Sequence, residues 1–410
     1  MKPELMAPAG SFETLQAAIN AGADSVYFGV GPLNMRARAA NFGIKDLPKI
    51  VEICKDASVR SYLTLNTVIY DSDLDEMKKI ADLAKEVGIT AVIATDISVI
   101  QYLNKIGMRT HISTQANVSN IEAVKFYSQY ADVIILAREL TLDQIKSICA
   151  GIKKEKISGP NGELVAIEVF IHGALCVSIA GKCYMSLATY NQSANRGSCL
   201  QNCRRSYRVT DDETGDELVV DNKYVMSPKD LCTIGILDKL IDAGASIFKI
   251  EGRGRKADYV DTVVRVYKDA LKSIEEKKYT QKKIDTWTKE LEKVYNRGFW
   301  QGGYYLGKKL GEWSGVYGSK STEKKVYVGK GLNYYQKNSV GMFSIETGEV
   351  KVGDDVMITG PTTGLLRFKV EEIMVNDKKV DCAKKGDEVT IAVSGKIRAS
   401  DKLFVIKANS

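Results

Sequence analysis

The sequence predicts an α/β fold: a TIM-barrel-like (β/α)₈ domain with a cysteine-rich insertion, followed by a small all-β barrel domain. Three features support this prediction. β-Rich segments alternate with helical patterns through most of the first 275 residues, five cysteines crowd into one stretch of that region, and short alternating runs separated by turns follow Trp313. An open, doubly wound sheet is the competing fold, because eight strands do not by themselves prove that a barrel closes.

Eight strands are predicted from short runs of β-branched and aromatic residues. They are Glu4–Ala7, Ser25–Phe28, Arg60–Leu65, Ala91–Ala94, Arg109–Ile112, Asp132–Leu136, Ala166–Ile171 and Ile247–Ile250. Helical patterns are predicted at Ser11–Asn20, Asp71–Val87, Asn120–Tyr130, Leu231–Asp242 and Ala257–Glu275. This alternation predicts parallel strands joined by crossover helices.

The character of the sequence changes at Trp313. The stretch EWSGVYGSKSTEKK is rich in Gly, Ser and Lys and is typical of a linker. From about Val326, alternating runs with turn signals predict a small β-barrel that binds or positions a partner, or that only buttresses the larger domain. The predicted boundaries are 1–312 for the first domain, with its cysteine region at 168–232, then 313–325 for the linker and 326–410 for the second domain.

Composition and charge limit the function classes. The 410 residues, 44% hydrophobic and 27% charged, are typical of a globular protein with one large core and a smaller second domain. The net charge of +7 is compatible with a nucleic acid or another anionic partner. The N-terminal segment has no signal-peptide pattern and no apolar run approaches eighteen residues, so we expect a cytoplasmic protein that does not enter a membrane.

Functional groups of (β/α)₈ barrels lie at the C-terminal ends of the strands. The polar residues near those ends are therefore the catalytic candidates: Arg36, Arg38, His111, Gln115, Arg138, Glu168, His172, Glu251 and Arg253. Arg36 and Arg38 can clamp a dicarboxylate, because a guanidinium matches a carboxylate with two parallel hydrogen bonds, or they can belong to a solvated loop. Arg138 with Glu139, and Glu251 with Arg253, can instead be ion pairs inside the barrel. No GxGxxG or P-loop follows the first strand, which weakens a nucleotide-cofactor interpretation.

The cysteine region holds five of the eight cysteines and His172, one of only two histidines. Thiols stay reduced in the cytoplasm, so clustered cysteines are expected to be metal ligands or catalytic groups. Six residues separate Cys176 from Cys183, fifteen separate Cys183 from Cys199, and thirty-two separate Cys199 from Cys232. Only Cys199 and Cys203 approach the tight spacing of a zinc knuckle. The wide spacing favours an iron–sulfur cluster, while zinc and unliganded thiols remain alternatives.

Two further interpretations concern the same region. A peptidase needs a nucleophile beside a base, and His172 lies four positions before Cys176. A thiolate that ligates a cluster, however, cannot serve as the nucleophile. The HExxH motif of zinc peptidases is not present in the sequence. Near the cysteines, Arg196, Arg204 and Arg205 can contact RNA phosphates, or can simply be surface charge.

The segment EVFIHGALCVSIAGKCYMS, from Glu168 to Ser186, resembles the signature of the peptidase U32 family, the so-called collagenase-like proteases. The resemblance extends over nearly the whole chain. The family's opening is similar to ELMAPAGSFETLQAAINAGADSVYFG and MRARAANF, and later motifs are similar to HISTQANVSN, SPKDLC, KIEGR and NRGFWQGGY. The C-terminal module resembles the elongation-factor-like barrel of the branch that acts on tRNA.

The resemblance implies a function other than proteolysis. Members of the family act in 5-hydroxylation of the wobble uridine of tRNA, in hydroxylation of a ribosomal RNA cytidine and in ubiquinone hydroxylation, and the nucleic-acid branches depend on prephenate. It implies a [4Fe-4S] cluster on Cys176, Cys183, Cys199 and Cys232, with Cys203 as a spare thiol that can exchange with Cys199. We therefore expect a tRNA uridine hydroxylase. The alternatives are a U32-type peptidase and a non-catalytic subunit that pairs with a related U32 protein and carries a structural cluster.

Overall fold

The computed structural model of the protein describes residues 3–208, 210–217, 226–308 and 312–409. Within these residues the first domain contains ten strands. They are β1 (Glu4–Pro8), β2 (Ser25–Gly29), β3 (Arg60–Leu65), β4 (Ala91–Ala94), β5 (Thr110–Ile112), β6 (Val133–Ile135), β7 (Ala166–Gly173), β8 (Asp230–Cys232), β9 (Ile247–Ile250) and β10 (Phe299–Gln301). The predicted eight strands correspond to β1–β7 and β9.

These eight strands form a closed parallel barrel. Each of β1 to β6 pairs in parallel with the next strand along the chain. Closure comes from β9, which pairs in parallel with β1 through Ile247 and Glu4 and with β7 through Ile247 and Glu168. The predicted (β/α)₈ barrel is confirmed, and the open doubly wound sheet is excluded because that fold leaves two unpaired edges.

Ten helices accompany the strands in the described part of this domain. They are α1 (Phe12–Asn20), α2 (Leu47–Asp56), α3 (Leu74–Val87), α4 (Ile97–Lys105), α5 (Ile121–Ser128), α6 (Leu142–Glu155), α7 (Met185–Tyr190), α8 (Leu237–Asp242), α9 (Ala257–Glu275) and α10 (Gln281–Glu292). Several begin at the N-cap residues that the sequence supplies: the side chains of Ser11, Asp96, Asn120 and Thr141 accept hydrogen bonds from the first turns of α1, α4, α5 and α6. None of the helices in the described ranges is long and apolar enough to cross a membrane.

One prediction was wrong at β8, a strand outside the barrel. A helix from Leu231 to Asp242 was expected, but Asp230–Cys232 is a strand and α8 begins only at Leu237. The strand β8 pairs antiparallel with the end of β7, placing Cys232 opposite His172, and its other edge pairs in parallel with β10. The prediction was wrong because these sheet contacts, made by residues far away in the chain, outweigh the local helical pattern.

A β-bulge interrupts the pairing of β7 with β9. Phe170 pairs with Lys249, but the next partner of Ile250 is His172, so β7 contains one residue more than β9 at this point. Side chains alternate across a strand, and an extra residue reverses the alternation. Glu168 and Phe170 therefore point into the barrel, whereas His172 packs against Tyr259 and Tyr267 of α9 outside it.

The second domain consists of antiparallel strands, which confirms the all-β prediction. They are β11 (Glu323–Tyr335), β12 (Val340–Ile345), β13 (Glu349–Lys351), β14 (Asp355–Gly360), β15 (Gly364–Lys369), β16 (Ile373–Val375), β17 (Lys378–Val380), β18 (Cys382–Lys384), β19 (Glu388–Ala392) and β20 (Lys402–Ala408). Eight of them form a sheet in the order β15-β14-β20-β11-β12-β19-β16-β17, and β13 pairs with β18. The first strand begins at Glu323, so the last three residues of the predicted linker lie in β11.

The all-β domain packs on α1 and α9 of the barrel. Met357 and Leu365 form a small apolar contact with Ala17 and Ala257. Polar contacts flank it: Lys325 Nζ lies 2.6 Å from Asp258 Oδ1, and Asn20 donates a hydrogen bond to the Thr363 carbonyl at 3.1 Å.

Candidate functional site

A cavity of about 460 Å³ opens at the C-terminal ends of the barrel strands. Its wall combines strand ends, the loop after β2 and the cysteine region between β7 and β8. Six of the nine predicted catalytic residues line it: Arg36, Arg38, Gln115, Arg138, Glu251 and Arg253. The cavity has the size of a small-molecule site and lies where (β/α)₈ barrels carry their functional groups.

The charge of this cavity is strongly positive. Its lining contains eight cationic side chains, namely Arg36, Arg38, Arg138, Arg204, Lys249, Arg253, Arg255 and Arg297, and two carboxylates, Glu139 and Glu251. A low-dielectric cavity lined by one sign of charge raises the local concentration of the opposite charge. The cavity is therefore suited to an anionic substrate.

Arg36 and Glu251 form an ion pair at the cavity wall. The Arg36 Nη2 atom lies 2.7 Å from Glu251 Oε1, and the Arg36 side chain is 37% exposed. Burial alone would raise the pKa of Glu251, but Arg36 and Arg255 together lower it to about 2. Glu251 is therefore a permanent carboxylate at neutral pH, and it holds the Arg36 guanidinium at the cavity.

Arg253 is fixed by polar neighbours rather than by an acid. Its Nη1 atom donates to Asn34 Oδ1 at 2.9 Å and to Thr64 Oγ1 at 2.7 Å. Burial lowers the pKa of Arg253 to about 10. The predicted ion pair between Glu251 and Arg253 is not formed; Glu251 pairs with Arg36, because Arg253 points toward β2 and β3.

Arg138 faces the cavity from the end of β6. Its Nη2 atom donates to the Ala174 carbonyl at 3.1 Å, and its guanidinium lies 4.6 Å from the centre of the Phe170 ring. The Nε of Arg138 and the Oε2 of Glu139 are buried without a hydrogen-bond partner among the described residues. Arg138 therefore keeps a donor free for a ligand, and the ion pair expected between these two residues is not present.

A buried ion pair lies at the floor of the cavity. Lys249 of β9 lines the cavity, and its Nζ atom is 2.8 Å from Oε1 of Glu168, whose side chain is fully buried. The other oxygen, Oε2, is 3.8 Å from Nδ1 of His111, and neither of these two atoms has a hydrogen-bond partner in the described part of the chain. Glu168 and His111 thus lie beneath the cavity. Lys249 was not predicted from the sequence, although it stands two residues before Glu251 in KIEGR, a spacing that directs both side chains to the same side of the chain.

His172 does not reach the cavity. It is 1% exposed, its Nδ1 atom is 3.3 Å from the hydroxyl of Tyr267, and its ring contacts Phe299. Burial lowers the pKa of His172 to about 3. The bulge in β7 explains this position, and His172 is a neutral packing residue rather than a member of the site.

Four thiols line one side of the cavity: Cys176, Cys183, Cys199 and Cys203. Burial raises the pKa of the Cys203 thiol to about 11, and the neighbouring thiols of Cys176, Cys199 and Cys183 add to that rise. No three Cys, His, Asp or Glu side chains in the described ranges converge closely enough to hold a metal ion directly. The four thiols therefore share one wall of the cavity without forming a single-ion site among the described residues.

Cys232 is separated from these four thiols. It is fully buried in β8 and does not line the cavity, and its sulfur is 3.9 Å from the hydroxyl of Tyr267. The antiparallel pairing of β8 with the end of β7 directs this side chain toward α9, next to His172. The structure therefore brings Cys203, rather than Cys232, together with Cys176, Cys183 and Cys199.

One glycine fixes the distance between the cysteine region and the loop after β2. Gly197 has φ +79°, and a Cβ atom at this position would lie 2.1 Å from the Asn34 carbonyl oxygen. Only glycine fits such a close approach of two backbones. Gly197 thus lets Cys199 lie beside the loop that carries Arg36 and Arg38.

The three arginines predicted to contact RNA have different environments. Arg196 forms an ion pair with Asp73 and stacks on Tyr70, with 4.0 Å between the guanidinium and the ring centre. Arg204 is buried and donates to the carbonyls of Leu175 and Pro228. These contacts give both residues a structural role. Arg205 is exposed and is available to a partner.

The chain is similar to known proteins over most of its length. The model of the family described as peptidase family U32 matches residues 10–315. A collagenase from Porphyromonas gingivalis is 53% identical over 402 residues, which cover 98% of this chain and 97% of the relative. The tRNA hydroxylation protein P1 of Bacillus subtilis is 31% identical over 400 residues, 93% of this chain and 90% of the relative. A 23S rRNA 5-hydroxycytidine synthase of Escherichia coli is 36% identical over 276 residues, 67% of this chain and 40% of the relative.

Proposed function

The chain belongs to peptidase family U32, and from this premise we propose that it is an RNA hydroxylase that acts on the wobble uridine of tRNA in the cytoplasm. The observation that carries the proposal is the cavity itself, in which four thiols face a set of arginines at the strand ends. Relatives named as a tRNA hydroxylation protein and as an rRNA hydroxycytidine synthase support the same class of reaction.

The target base must leave its stack to reach this cavity. A base inside a helix is inaccessible to a closed pocket, whereas a base of a single-stranded loop can be turned outward. The net charge of +7 and the cationic lining favour approach of the RNA backbone. A wobble uridine satisfies both requirements, because it lies in the anticodon loop.

The arginines of the cavity are suited to a small dicarboxylate co-substrate, for which we propose prephenate. Arg36 is held at the wall by Glu251, Arg38 is exposed beside it, and Arg138 has an unused donor. Guanidinium groups bind carboxylates through paired, charge-assisted hydrogen bonds. We expect these three residues to bind the two carboxylates and thereby to orient the co-substrate toward the thiol-lined wall.

The thiols of Cys176, Cys183, Cys199 and Cys203 are the residues that would hold a [4Fe-4S] cluster. When bound, such a cluster supplies electron transfer or a binding place for the oxygen donor. Hydroxylation converts the C5–H bond of uracil to C5–OH, a two-electron oxidation in which an oxygen donor must supply the oxygen atom and accept the two electrons. The C5 proton must leave the carbon in the same reaction. The Lys249–Glu168 pair at the floor of the cavity can accept or return that proton.

The second candidate is a peptidase, because the collagenase relative is 53% identical. A thiol or hydroxyl nucleophile needs an adjacent base. The only two histidines of the chain are His111, beneath the cavity floor, and His172, outside the barrel, and neither lines the cavity. The positions of these two side chains therefore argue against a Cys–His peptidase.

Deletion of the gene followed by nucleoside mass spectrometry of tRNA tests the proposal. We expect the loss of 5-hydroxyuridine derivatives and their return on complementation with the wild type or with Cys54→Ala, which replaces a buried thiol of α2 as a control. Complementation with Arg36→Gln or Cys183→Ala should fail. Undiminished 5-hydroxyuridine in the deletion strain, or an anaerobically purified protein that is iron-free and cleaves gelatin, would favour the peptidase instead.

A further inference from the structure

Exposed apolar side chains concentrate beside the thiol-lined wall. Four of the fourteen large hydrophobic side chains exposed in the described part of the chain lie within one twelve-residue stretch of the cysteine region: Ile179, Tyr184, Leu187 and Tyr190. Tyr190 is 48% exposed, and Tyr317, from the segment after the barrel, is 74% exposed. A group of exposed aromatic residues next to a cavity indicates an interaction surface rather than random surface composition.

Arg205 lies against Tyr190, one of these exposed aromatic residues. Its guanidinium is 5.2 Å from the centre of the Tyr190 ring, and Nη1 donates a hydrogen bond to the Tyr190 hydroxyl at 2.6 Å. The hydroxyls of Tyr190, Tyr207 and Tyr317 all lie near the Arg205 guanidinium. Among the described residues no carboxylate forms an ion pair with Arg205. Its positive charge therefore remains available to an anion.

This group is held in a fixed position relative to the thiols. Asn202 donates hydrogen bonds to the Met185 carbonyl at 3.2 Å and to Thr189 Oγ1 at 2.6 Å, and the backbone of Leu200 donates to Ser186 Oγ at 2.9 Å. These bonds join α7, which carries Tyr190, to the turn that carries Cys203 and Arg205. Cys203 lines the cavity two residues before Arg205, so the exposed group continues the cavity wall outward.

We propose that Tyr190, Arg205 and Tyr317 form a stacking platform for the single-stranded RNA nucleotides that flank the target base. This inference rests on the proposed function and names the part of the substrate that the surface binds. Aromatic rings and guanidinium planes stack on any base, because every base has a π face, and the cation adds attraction to the backbone. With the flanking bases stacked outside, the target base is directed to the cavity.

A peptide is the competing occupant of this surface, since tyrosines also recognise peptides. RNA is favoured by charge. Arg205 at the platform and the cavity arginines that form no ion pair among the described residues match a polyanion; these arginines are Arg38, Arg138, Arg204, Arg253 and Arg255. The two occupants are distinguished by binding measurements on the same protein.

Fluorescence anisotropy tests the platform on the anaerobically prepared full chain. The probes are a labelled U-rich single-stranded RNA of about twelve nucleotides, the same RNA paired with its complement, and a labelled gelatin peptide. The variants are Tyr190→Ala/Tyr317→Ala, Arg205→Lys and the control Phe126→Ala, whose aromatic ring on α5 is 53% exposed and remote from the cysteine region. Unchanged iron content and unfolding temperature verify that each variant is folded.

We expect the double tyrosine variant to bind the single strand at least about tenfold more weakly, since each stacked base contributes substantially to affinity. The salt dependence should keep its slope, because no phosphate contact is lost. Arg205→Lys should weaken single-strand binding although it retains the charge, and Phe126→Ala should bind as the wild type does.

Unchanged single-strand binding by the double variant, or an equal loss in Phe126→Ala, would overturn the platform. Loss of gelatin-peptide binding without loss of RNA binding would assign the surface to a peptide. These outcomes are independent of turnover: a double variant that binds normally while the wild type hydroxylates tRNA in cells refutes only the platform. A wild type that binds single strands through these residues but leaves tRNA unmodified refutes only the proposed function.

Discussion

Replacing Cys203 and Cys232 by alanine, one at a time, should give opposite results. Cys203 lines the cavity with three other thiols, so Cys203→Ala should lose most of its iron and its absorbance near 400 nm. The variant should fold normally, because the side chain is only partly buried and substitutions at such positions change stability little. Cys232→Ala should keep its iron, because its sulfur faces Tyr267 and not the cavity.

The cost of Cys232→Ala should instead appear in stability. The side chain is fully buried, and its removal leaves a space about as large as one methyl group. Such deletions lower the free energy of unfolding by about 1 kcal/mol, which corresponds to a decrease of a few degrees in the unfolding temperature. Cys54→Ala, at another buried thiol, is the matched control and should show the same small loss with full iron content.

The assay is anaerobic purification and reconstitution, followed by iron and sulfide determination, absorbance spectra and urea unfolding of the iron-free protein. Loss of iron in Cys232→Ala together with full iron in Cys203→Ala would refute the ligand set inferred from the cavity. It would support the set that the family resemblance implies, in which Cys232 is the fourth ligand.

Three further predictions concern buried ionisable side chains. Lys249→Met should lower the free energy of unfolding by about 3–5 kcal/mol, because it leaves Glu168 buried without its cation. In urea unfolding, Lys249→Met/Glu168→Gln should recover most of that loss. A double variant as unstable as the single one would contradict this. Arg36 and Arg255 lower the pKa of Glu251 to about 2. The wild type should therefore have a higher free energy of unfolding than Glu251→Gln, by an amount that is complete above pH ~4.3 and that decreases as the pH falls toward 2. A difference that grows on acidification would disprove this. The pKa of His172 is about 3 in the folded chain instead of 6.5, so between these pH values the unfolded chain binds a proton that the folded chain does not. The unfolding temperature of the wild type should therefore decrease more steeply than that of His172→Phe as the pH falls from 6.5 to 3.

Much of the fold could be predicted from local sequence patterns. The eight barrel strands, helix Ala257–Glu275 and the all-β character of the second domain follow from periodicity and turn residues, and the structure contains them. The rule that strand ends carry function then identified Arg36, Arg138 and Glu251 at the cavity.

Distant pairing decides the side-chain positions that local sequence patterns do not reveal. The strand β8 looks helical in sequence, and its pairing with β7 moves Cys232 away from the other thiols. The bulge in β7 is invisible in the sequence, and it turns His172 out of the barrel. Lys249 was overlooked because a lysine in a short apolar strand resembles an edge residue until the barrel is known to close around it.

The order of strands in the second domain has a consequence for how the protein is made on the ribosome. The strand β20 lies in the middle of the eight-stranded sheet, between β14 and β11. The sheet therefore cannot be completed until residue 408 has been synthesised and has left the exit tunnel, whereas the barrel can close once β9 has emerged. Pairing between residues far apart in the chain is slow. We infer that translation yields a finished barrel followed by an incomplete sheet, and that premature termination near residue 400 leaves exposed strand edges at β14 and β11 on which aggregation begins.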